Sequence, residues 1–357
     1  MNRNIAVLGA GGTGQTAAAD LTLSGCRVTL YELPKYGESL DAVKEHGGIT
    51  VEGAGNTGFA KIYNVTTDIE EALKDAEIII VAVVAARHEE MAEICAPYLK
   101  DGQIILISPG NAGSIVFYNK FKEMGITKDV AIAELEGNLH PCRIIGPAKV
   151  IVAFPKSSKY AAAFPAKNTA RVIEGLKGIY DLVPATNAFE AALNTPNVVI
   201  HLGASLLNIG AIDKSGGEYY LYSEGITPSV LTCADACEAE KIALFIALGY
   251  NDRTPLDLLR KVAIQDKFPE LDIFRGLIGP TSADHRYISE DAGTCVSLMI
   301  SLGELTGIPV PLSRAIVTMA SAINKVDYLG NGRTLESLGL GGFTVEELNQ
   351  FLAEGIR

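Results

Sequence analysis

The sequence predicts an α/β N-terminal domain on a doubly wound, mostly parallel sheet, followed by an all-α C-terminal domain. Three observations carry this. Short, nearly continuous apolar runs alternate with helical stretches through the first half of the chain. A glycine-rich turn joins the first of those runs to an alanine-rich stretch. From about Pro184 the pattern becomes long helical segments with no clear sheet. At 357 residues the chain is too long for one ordinary core, and we divide it into residues 1–184 and 185–357.

The expected strands are Asn4–Gly9, Arg27–Glu32, Glu77–Ala85, Gln103–Ser108, Asp129–Leu135 and Ala148–Phe154. Runs without strict alternation fit strands covered on both faces. Helical stretches separate several of them: Gly14–Ser24, Glu38–Glu45, His88–Leu99 and a shorter Asp68–Lys74, with Thr66 or Thr67 placed to cap it. The second half offers Pro196–Ile209, Ser229–Leu248, Pro255–Val262, Asp291–Leu305 and Leu312–Asn324. A last helix, Val345–Gly355, opens on a capping box of Thr344 and Glu347. No flexible linker marks the boundary, which predicts a packed join with the active site between the domains.

Hydrophobic residues make up 48% and charged residues 20%, so no disordered tail is implied. The formal net charge of −12 argues against nucleic acid as a partner, since phosphate-backbone binding needs a basic face. Six scattered cysteines with no C-x-x-C pair favour reduced thiols and a cytoplasmic location. Cys233 and Cys237 lie four apart, but no His or Cys cluster completes a site around them, so no metal is expected. The N-terminus runs directly into a strand and turn and does not read as a signal peptide. No uninterrupted apolar run reaches ~18 residues, so no membrane span is expected. The helices Ser229–Leu248 and Leu312–Asn324 are very apolar, which fits core burial or a homodimer interface.

The turn Gly9-Ala10-Gly11-Gly12-Thr13-Gly14 satisfies G-x-G-x-x-G, a weak signal by itself in a chain with 36 glycines. Its context makes it informative. The apolar run IAVL precedes it, an alanine-rich helix follows, and Glu32 lies 18 residues beyond Gly14 at the end of RVTLYE. Gly9 and Gly11 permit a tight turn and let backbone N–H groups approach a pyrophosphate. Gly14 lets the helix pack close to its strand, and the helix N-terminus favours negative charge. The whole turn, Gly12 and Thr13 included, is thus expected to hold a dinucleotide in a Rossmann domain, with Glu32 accepting the adenosine ribose hydroxyls. A carboxylate there repels a 2′-phosphate. The expected cofactor is therefore NAD, with NADH preferred over NADPH, although Arg27 and Lys35 are near enough in sequence to soften the preference. Two strand ends should face the same ligand: Val83–Ala85, with Val84 at its centre, and Ser108-Pro109-Gly110-Asn111, which also reads as a simple strand-ending turn.

In the second half, Asn197, His201, Ser205 and Asn208 recur at spacings of 4, 4 and 3 along a segment otherwise made of Val, Ile, Leu, Gly and Ala. A surface helix would carry Lys and Glu on its polar side. Neutral hydrogen-bonding groups and an imidazole instead suit the wall of an enclosed polar pocket, against the plainer reading of His201 as a satisfied core residue. A second cluster is Asp284-His285-Arg286-Tyr287-Ile288-Ser289-Glu290-Asp291. Asp291 reads either as an N-cap or as a carboxylate that orients an imidazole. Arg286 supplies a bidentate fork for a substrate carboxylate, or a surface ion pair with Asp284 or Glu290.

These residues resemble the opine dehydrogenase family, the octopine/nopaline dehydrogenase group, over almost the whole chain. The segments that carry the resemblance are GAGGTG, HEEMAEICAPYLKDGQIILISPG, NTPNVVIHLGASLLN, YSEGITPSV followed by CEAEKIAL, and RYISED. The resemblance implies reductive condensation: an amino acid's amine and a 2-oxo acid form an imine, and NADH delivers hydride to the C=N carbon. It makes His201 the residue that exchanges a proton with substrate, Asp291 its partner, and Arg286 the holder of the oxo-acid carboxylate. There are two departures. Val84 stands where the family's fourth strand usually ends in proline. The usual glutamate–threonine–leucine–proline–aromatic segment before an arginine becomes Glu134 to Arg143, with His140 inserted. Glu134 or Glu136 there can pair with an amino-acid ammonium and Arg143 with a carboxylate, or the stretch is a surface loop. A 2-oxo acid or 2-hydroxy acid reductase on the same scaffold is the rival enzyme. An NAD-binding sensor without turnover is the rival from another class.

Overall fold

The computed structural model of the chain describes residues 3–252 and 256–356. It divides into two compact units, Met1–Ala191 and Ala192–Arg357, so the division falls inside the helix Ala188–Leu193, a few residues beyond the boundary expected near 184.

In the first unit the strands are β1 (Asn4–Leu8), β2 (Arg27–Tyr31), β3 (Ile49–Gly53), β4 (Gly58–Ala60), β5 (Asn64–Thr66), β6 (Ile78–Val81), β7 (Ile104–Ile107), β8 (Ala131–Leu135), β9 (Cys142–Gly146), β10 (Lys149–Val152), β11 (Lys159–Phe164) and β12 (Leu182–Pro184). Eight of them form one sheet in the order β12-β11-β8-β7-β6-β1-β2-β5. Its pairs are parallel except for β8 with β11. The order reverses at β1, and the glycine turn leaves its carboxyl end, where open α/β sheets bind ligands. Alternate residues of β1 feed two cores: Ile5 and Val7 join one apolar cluster, Ala6 and Leu8 the other. Burial on both faces is why these strands read as continuous apolar runs.

The expected strand Ala148–Phe154 is present as β10, but it lies outside the large sheet. It belongs to a second, four-stranded sheet, β4-β3-β10-β9, in which β3 and β10 run parallel. Its parallel partner β3 sits about a hundred residues upstream, so the local apolar pattern of β10 carries no information about which sheet receives it. The helix Gly12–Leu23 packs against β1 and β2 and also against all four strands of the small sheet. The short helix Ile69–Leu73 is capped by Asp68, whose side chain accepts from the N–H groups of Glu70 and Glu71. Thr66 or Thr67 was expected in that role; Thr66 Oγ1 instead accepts from Asp68 N–H.

Among its described residues the second unit contains helices and no strand. The principal helices are His201–Leu207, Pro228–Leu248, Leu256–Val262, Arg286–Asp291, Ser297–Thr306, Pro311–Asn324 and Val345–Glu354. Pro255, the expected start of one of them, lies outside the described residues. The Thr344–Glu347 capping box is formed. Two expected helices are interrupted. Pro196–Val198 makes a separate 3₁₀ turn capped by Thr195, and the α-helix begins only at His201. The β-branched run Val198-Val199-Ile200 is a poor helix interior. Between Asp291 and Ser297 the chain widens into a π-helical turn, Ala292–Val296. There Thr294 Oγ1 bonds back to Glu290 O at 2.7 Å and Ser297 Oγ to Ala292 O at 2.5 Å. No helix of the described residues is long and apolar enough to cross a membrane.

Candidate active site

In the first unit, the glycine turn is shaped partly by the protein and partly for something else. Gly9 has φ +107°, and a Cβ there would stand 2.5 Å from Ala82 O. A Cβ on Gly14 would stand 1.7 Å from Gly9 O, so the helix meets its strand only without a side chain. Gly11 differs: a Cβ built on it meets nothing within 4 Å. It is extended and precedes the first turn of the helix Gly12–Leu23, in which Thr13 Oγ1 meets Asn138 Oδ1 at 3.5 Å. A Cβ on Gly12 would sit 3.9 Å from Cys142 Sγ. Open space before the amides of a twelve-residue helix is what a pyrophosphate requires, and these residues fit a dinucleotide.

Glu32 is buried just beyond β2. Its Oε2 accepts from Ala10 N–H at 2.8 Å, and its Oε1 accepts from Leu33 N–H at 2.8 Å. Arg87 Nη2 donates to the same Oε1 at 3.2 Å. The guanidinium of Arg87 also lies 4.3 Å from the Tyr36 ring centroid, and its Nε reaches Glu90 at 3.4 Å. The cation beside Glu32 is thus Arg87, which sequence reasoning missed. Of the two cations expected there, Arg27 bonds to Tyr63 and Lys35 to Glu90. The signal was an arginine three residues after the strand end VAVV, at the same sheet edge as Glu32.

Val84 is exposed in an extended conformation at that edge, opening the 3₁₀ turn Ala85–Arg87. The Ser108–Asn111 turn, with Pro109 buried in it, leads into the helix Gly113–Glu123. Glu134, a candidate partner for an ammonium, caps that helix instead. It accepts from Ala112 N–H at 2.8 Å, Ser114 N–H at 2.9 Å and Ser114 Oγ at 2.5 Å, and it is fully buried. His140 is buried with Nε2 3.7 Å from Asp20 Oδ2, which Lys156 also meets at 2.5 Å. Burial pushes the Asp20 carboxyl up, but His140 and Lys156 outweigh it and hold it below its ordinary value. The stretch from Glu134 to His140 is therefore pinned by buried side chains, which does not fit the alternative of a surface loop. Glu136 follows β8 beside Lys159, whose ammonium burial holds below its ordinary value against the pull of Glu136. Arg143 lies on β9 of the small sheet, with Nη1 on the carbonyl of Cys142 at 2.9 Å. Glu136 thus follows a strand of the large sheet, whereas Arg143 lies within the small one.

In the second unit, residues 201 and 291, ninety positions apart, meet. His201 Nδ1 is 3.1 Å from Asp291 Oδ2, and Nε2 is 2.9 Å from the Tyr222 hydroxyl. Tyr287 stacks on the imidazole at 3.7 Å between centroids and 13° between planes, and its hydroxyl lies 3.3 Å from that of Tyr222. All four side chains are buried. Asp291 does not cap a helix; it ends the helix Arg286–Asp291, which His285 caps by accepting from Tyr287 N–H. Burial drives the Asp291 carboxyl up to about 8, with Arg286 pulling the other way. A lone charge there is costly, so the pair favours holding a proton between the carboxylate and the imidazole.

Arg286 stands 3.6 Å from Glu290, loose for an ion pair, and its side chain is 35% exposed. That leaves its fork reachable. Asn208 spends its amide N–H groups on the carbonyls of Ala204 at 2.9 Å and Gly225 at 3.0 Å, which makes it a brace for the 221–225 segment. The stripe expected from Asn197 to Asn208 is divided, because Asn197 falls in the separate 3₁₀ turn. Ser205 remains on the His201 helix, one turn on, with a buried hydroxyl. Tyr222 and Tyr287 were not singled out from the sequence, although both lie in the segments YSEGITPSV and RYISED.

Residues 184–324 match the family described as NAD/NADP octopine/nopaline dehydrogenase, alpha-helical domain, and residues 5–110 match ketopantoate reductase PanE/ApbA. The chain is 31% identical to the opine dehydrogenase of Arthrobacter sp. (strain 1C) over 96% of its own length and 97% of that protein's. Octopine dehydrogenase solved with NADH and pyruvate shares the fold at a TM-score of 0.73 and 18% identity, covering 100% of this chain and 99% of that one. Yersinopine dehydrogenase with NADP+ bound aligns at a TM-score of 0.66 and 17% identity, covering 99% and 98%. With the Arthrobacter relative matched almost end to end, the chain belongs to the opine dehydrogenase family, nicotinamide-dependent oxidoreductases acting on CH–NH bonds.

Proposed function

We propose that this chain joins the amine of an amino acid to a 2-oxo acid such as pyruvate and reduces the resulting imine, with NADH preferred over NADPH. The observation that carries the reading is the buried His201–Asp291 pair at 3.1 Å, in a chain that also holds a dinucleotide turn. The dinucleotide, when bound, supplies the hydride. His201 provides the proton that reduction requires and takes it back in oxidation. Asp291 fixes the imidazole through Nδ1, which leaves Nε2 as the working nitrogen, and its buried carboxyl offsets the charge change. Arg286, one helical turn before Glu290, holds the oxo-acid carboxylate with its half-buried fork.

Glu32 supports the cofactor preference, because a buried carboxylate at the end of β2 repels a 2′-phosphate. Arg87 tempers it. Three N–H donors already converge on Glu32, and the guanidinium offers a phosphate a partner at the same edge. A second reading, a plain 2-oxo acid reductase, draws on the match of residues 5–110 to ketopantoate reductase. NADH oxidation measured with pyruvate and other 2-oxo acids, with and without a panel of amino acids, separates the two. Condensation requires that oxidation depend on the amine. Equal rates without any amine would establish the reductase reading in its place.

A further inference from the structure

An imidazole has two nitrogens, and both nitrogens of His201 are engaged inside the second unit. Nδ1 meets Asp291 at 3.1 Å and Nε2 meets the Tyr222 hydroxyl at 2.9 Å, while Tyr287 covers one ring face at 3.7 Å. His201 itself is only 8% exposed. A proton that leaves Nε2 therefore has the Tyr222 oxygen as its next stop. That oxygen is also 3.3 Å from the Tyr287 hydroxyl, which gives its own proton a further acceptor. Tyr222 sits in a π-helical turn, Leu221–Gly225, and Asp291 immediately precedes the other π-helical turn, Ala292–Val296. Such turns recur where a side chain must be re-aimed at a functional site. The ring of Tyr222 rests against Phe274, 4.1 Å between centroids, and Asn208 ties down Gly225 at the end of the turn.

We propose that Tyr222 is a second proton-transfer residue, standing between His201 and the substrate. The inference rests on the reading of His201 as the proton donor. In the reducing direction the Nε2–H bond of the imidazolium breaks and its proton passes to Tyr222 Oη. The Oη–H proton passes at the same time to the substrate heteroatom, whose C=N or C=O carbon takes the hydride. Tyr222 ends as it began, a neutral phenol, and His201 is left neutral beside Asp291. No oxidant or reductant is needed beyond the nicotinamide cofactor. Tyr287, stacked on the imidazole, holds the ring plane and keeps the Tyr222 hydroxyl in register.

The test is Tyr222→Phe, which removes the oxygen and keeps the ring on Phe274, with Tyr287→Phe as its companion. Single-turnover rates are measured with whichever 2-oxo acid the wild type reduces, with or without amine, so that loss of the amine requirement sinks the condensation alone. The relay requires Tyr222→Phe to lower the rate by about 10²-fold or more with the KM for the oxo acid little changed, and Tyr287→Phe to cost less than about tenfold. It also requires a bowed proton inventory in mixed H₂O and D₂O for the wild type that becomes linear in Tyr222→Phe. In ¹⁵N-histidine spectra, which need no substrate, the Nε2 signal of His201 should shift in Tyr222→Phe. A Tyr222→Phe rate within about threefold of wild type overturns the relay, as does a linear inventory in the wild type or an unmoved Nε2 signal. Absence of turnover with every oxo acid overturns the relay and the condensation together.

Discussion

Two buried carboxylates, one in each unit, are set to opposite tasks. Glu32 receives three N–H donors, two from the backbone and one from Arg87. Asp291 faces an imidazole, and burial drives its carboxyl up to about 8. The first is held in place by those three donors at the carboxyl edge of the large sheet. The second is built so that its charge depends on a neighbour's proton. In the proposed function the same chemical group thus serves as a binding element in one unit and as part of an acid–base pair in the other, according to the dipoles and charges pointed at it.

Removing the imidazole should break the contrast most completely. His201→Ala is expected to lower kcat by a factor on the order of 10²–10⁴, with NADH affinity by fluorescence titration essentially unchanged. Wild-type turnover in that variant would take His201 out of the chemistry. The complementary change, Glu32→Ala, should leave kcat at saturating cofactor intact. It should lower the NADH-to-NADPH ratio of kcat/KM by roughly 10- to 100-fold, the scale of a charge-assisted hydrogen bond. An unmoved ratio would make Glu32 a brace for Ala10 and Leu33 and nothing more. The smallest effect concerns stability. Folding raises the Asp291 carboxyl from its ordinary 3.8 to about 8. Its contribution to stability is therefore full below pH 3.8 and is lost as the pH rises through about 8. Asp291→Asn should flatten that decline, so its Tm should fall less than the wild type's between about pH 5 and pH 8, by roughly a few degrees. Parallel Tm curves would show that His201 and Arg286 fully support the carboxylate.

Legibility in the sequence divides along the same line. The glycine turn, its strand, its helix and Glu32 lie within the first 32 residues, and local rules connect them. His201 stood out as an imidazole in an apolar segment, but joining it to Asp291 required the family resemblance, because no spacing rule spans ninety residues. Arg87 and Tyr222 were not reached, for a related reason. Each acts across the fold on a residue far away in sequence, Glu32 in one case and His201 in the other. The small sheet was missed because β3, β4 and β9 are five residues or fewer and partly exposed, too short to show a period. The π-helical turns hid for a different reason. An extra residue per turn leaves the composition helical while rotating the downstream side chains, so Asp291 read as the start of a helix when it is the end of one.

The helix Gly12–Leu23 is wedged between the large sheet and the small one. A rod gripped on both flanks cannot lean away, so the amides at its open end are already still before any diphosphate reaches them. Little ordering entropy is then spent on capture. The small sheet thereby acts as a splint for the nucleotide cradle.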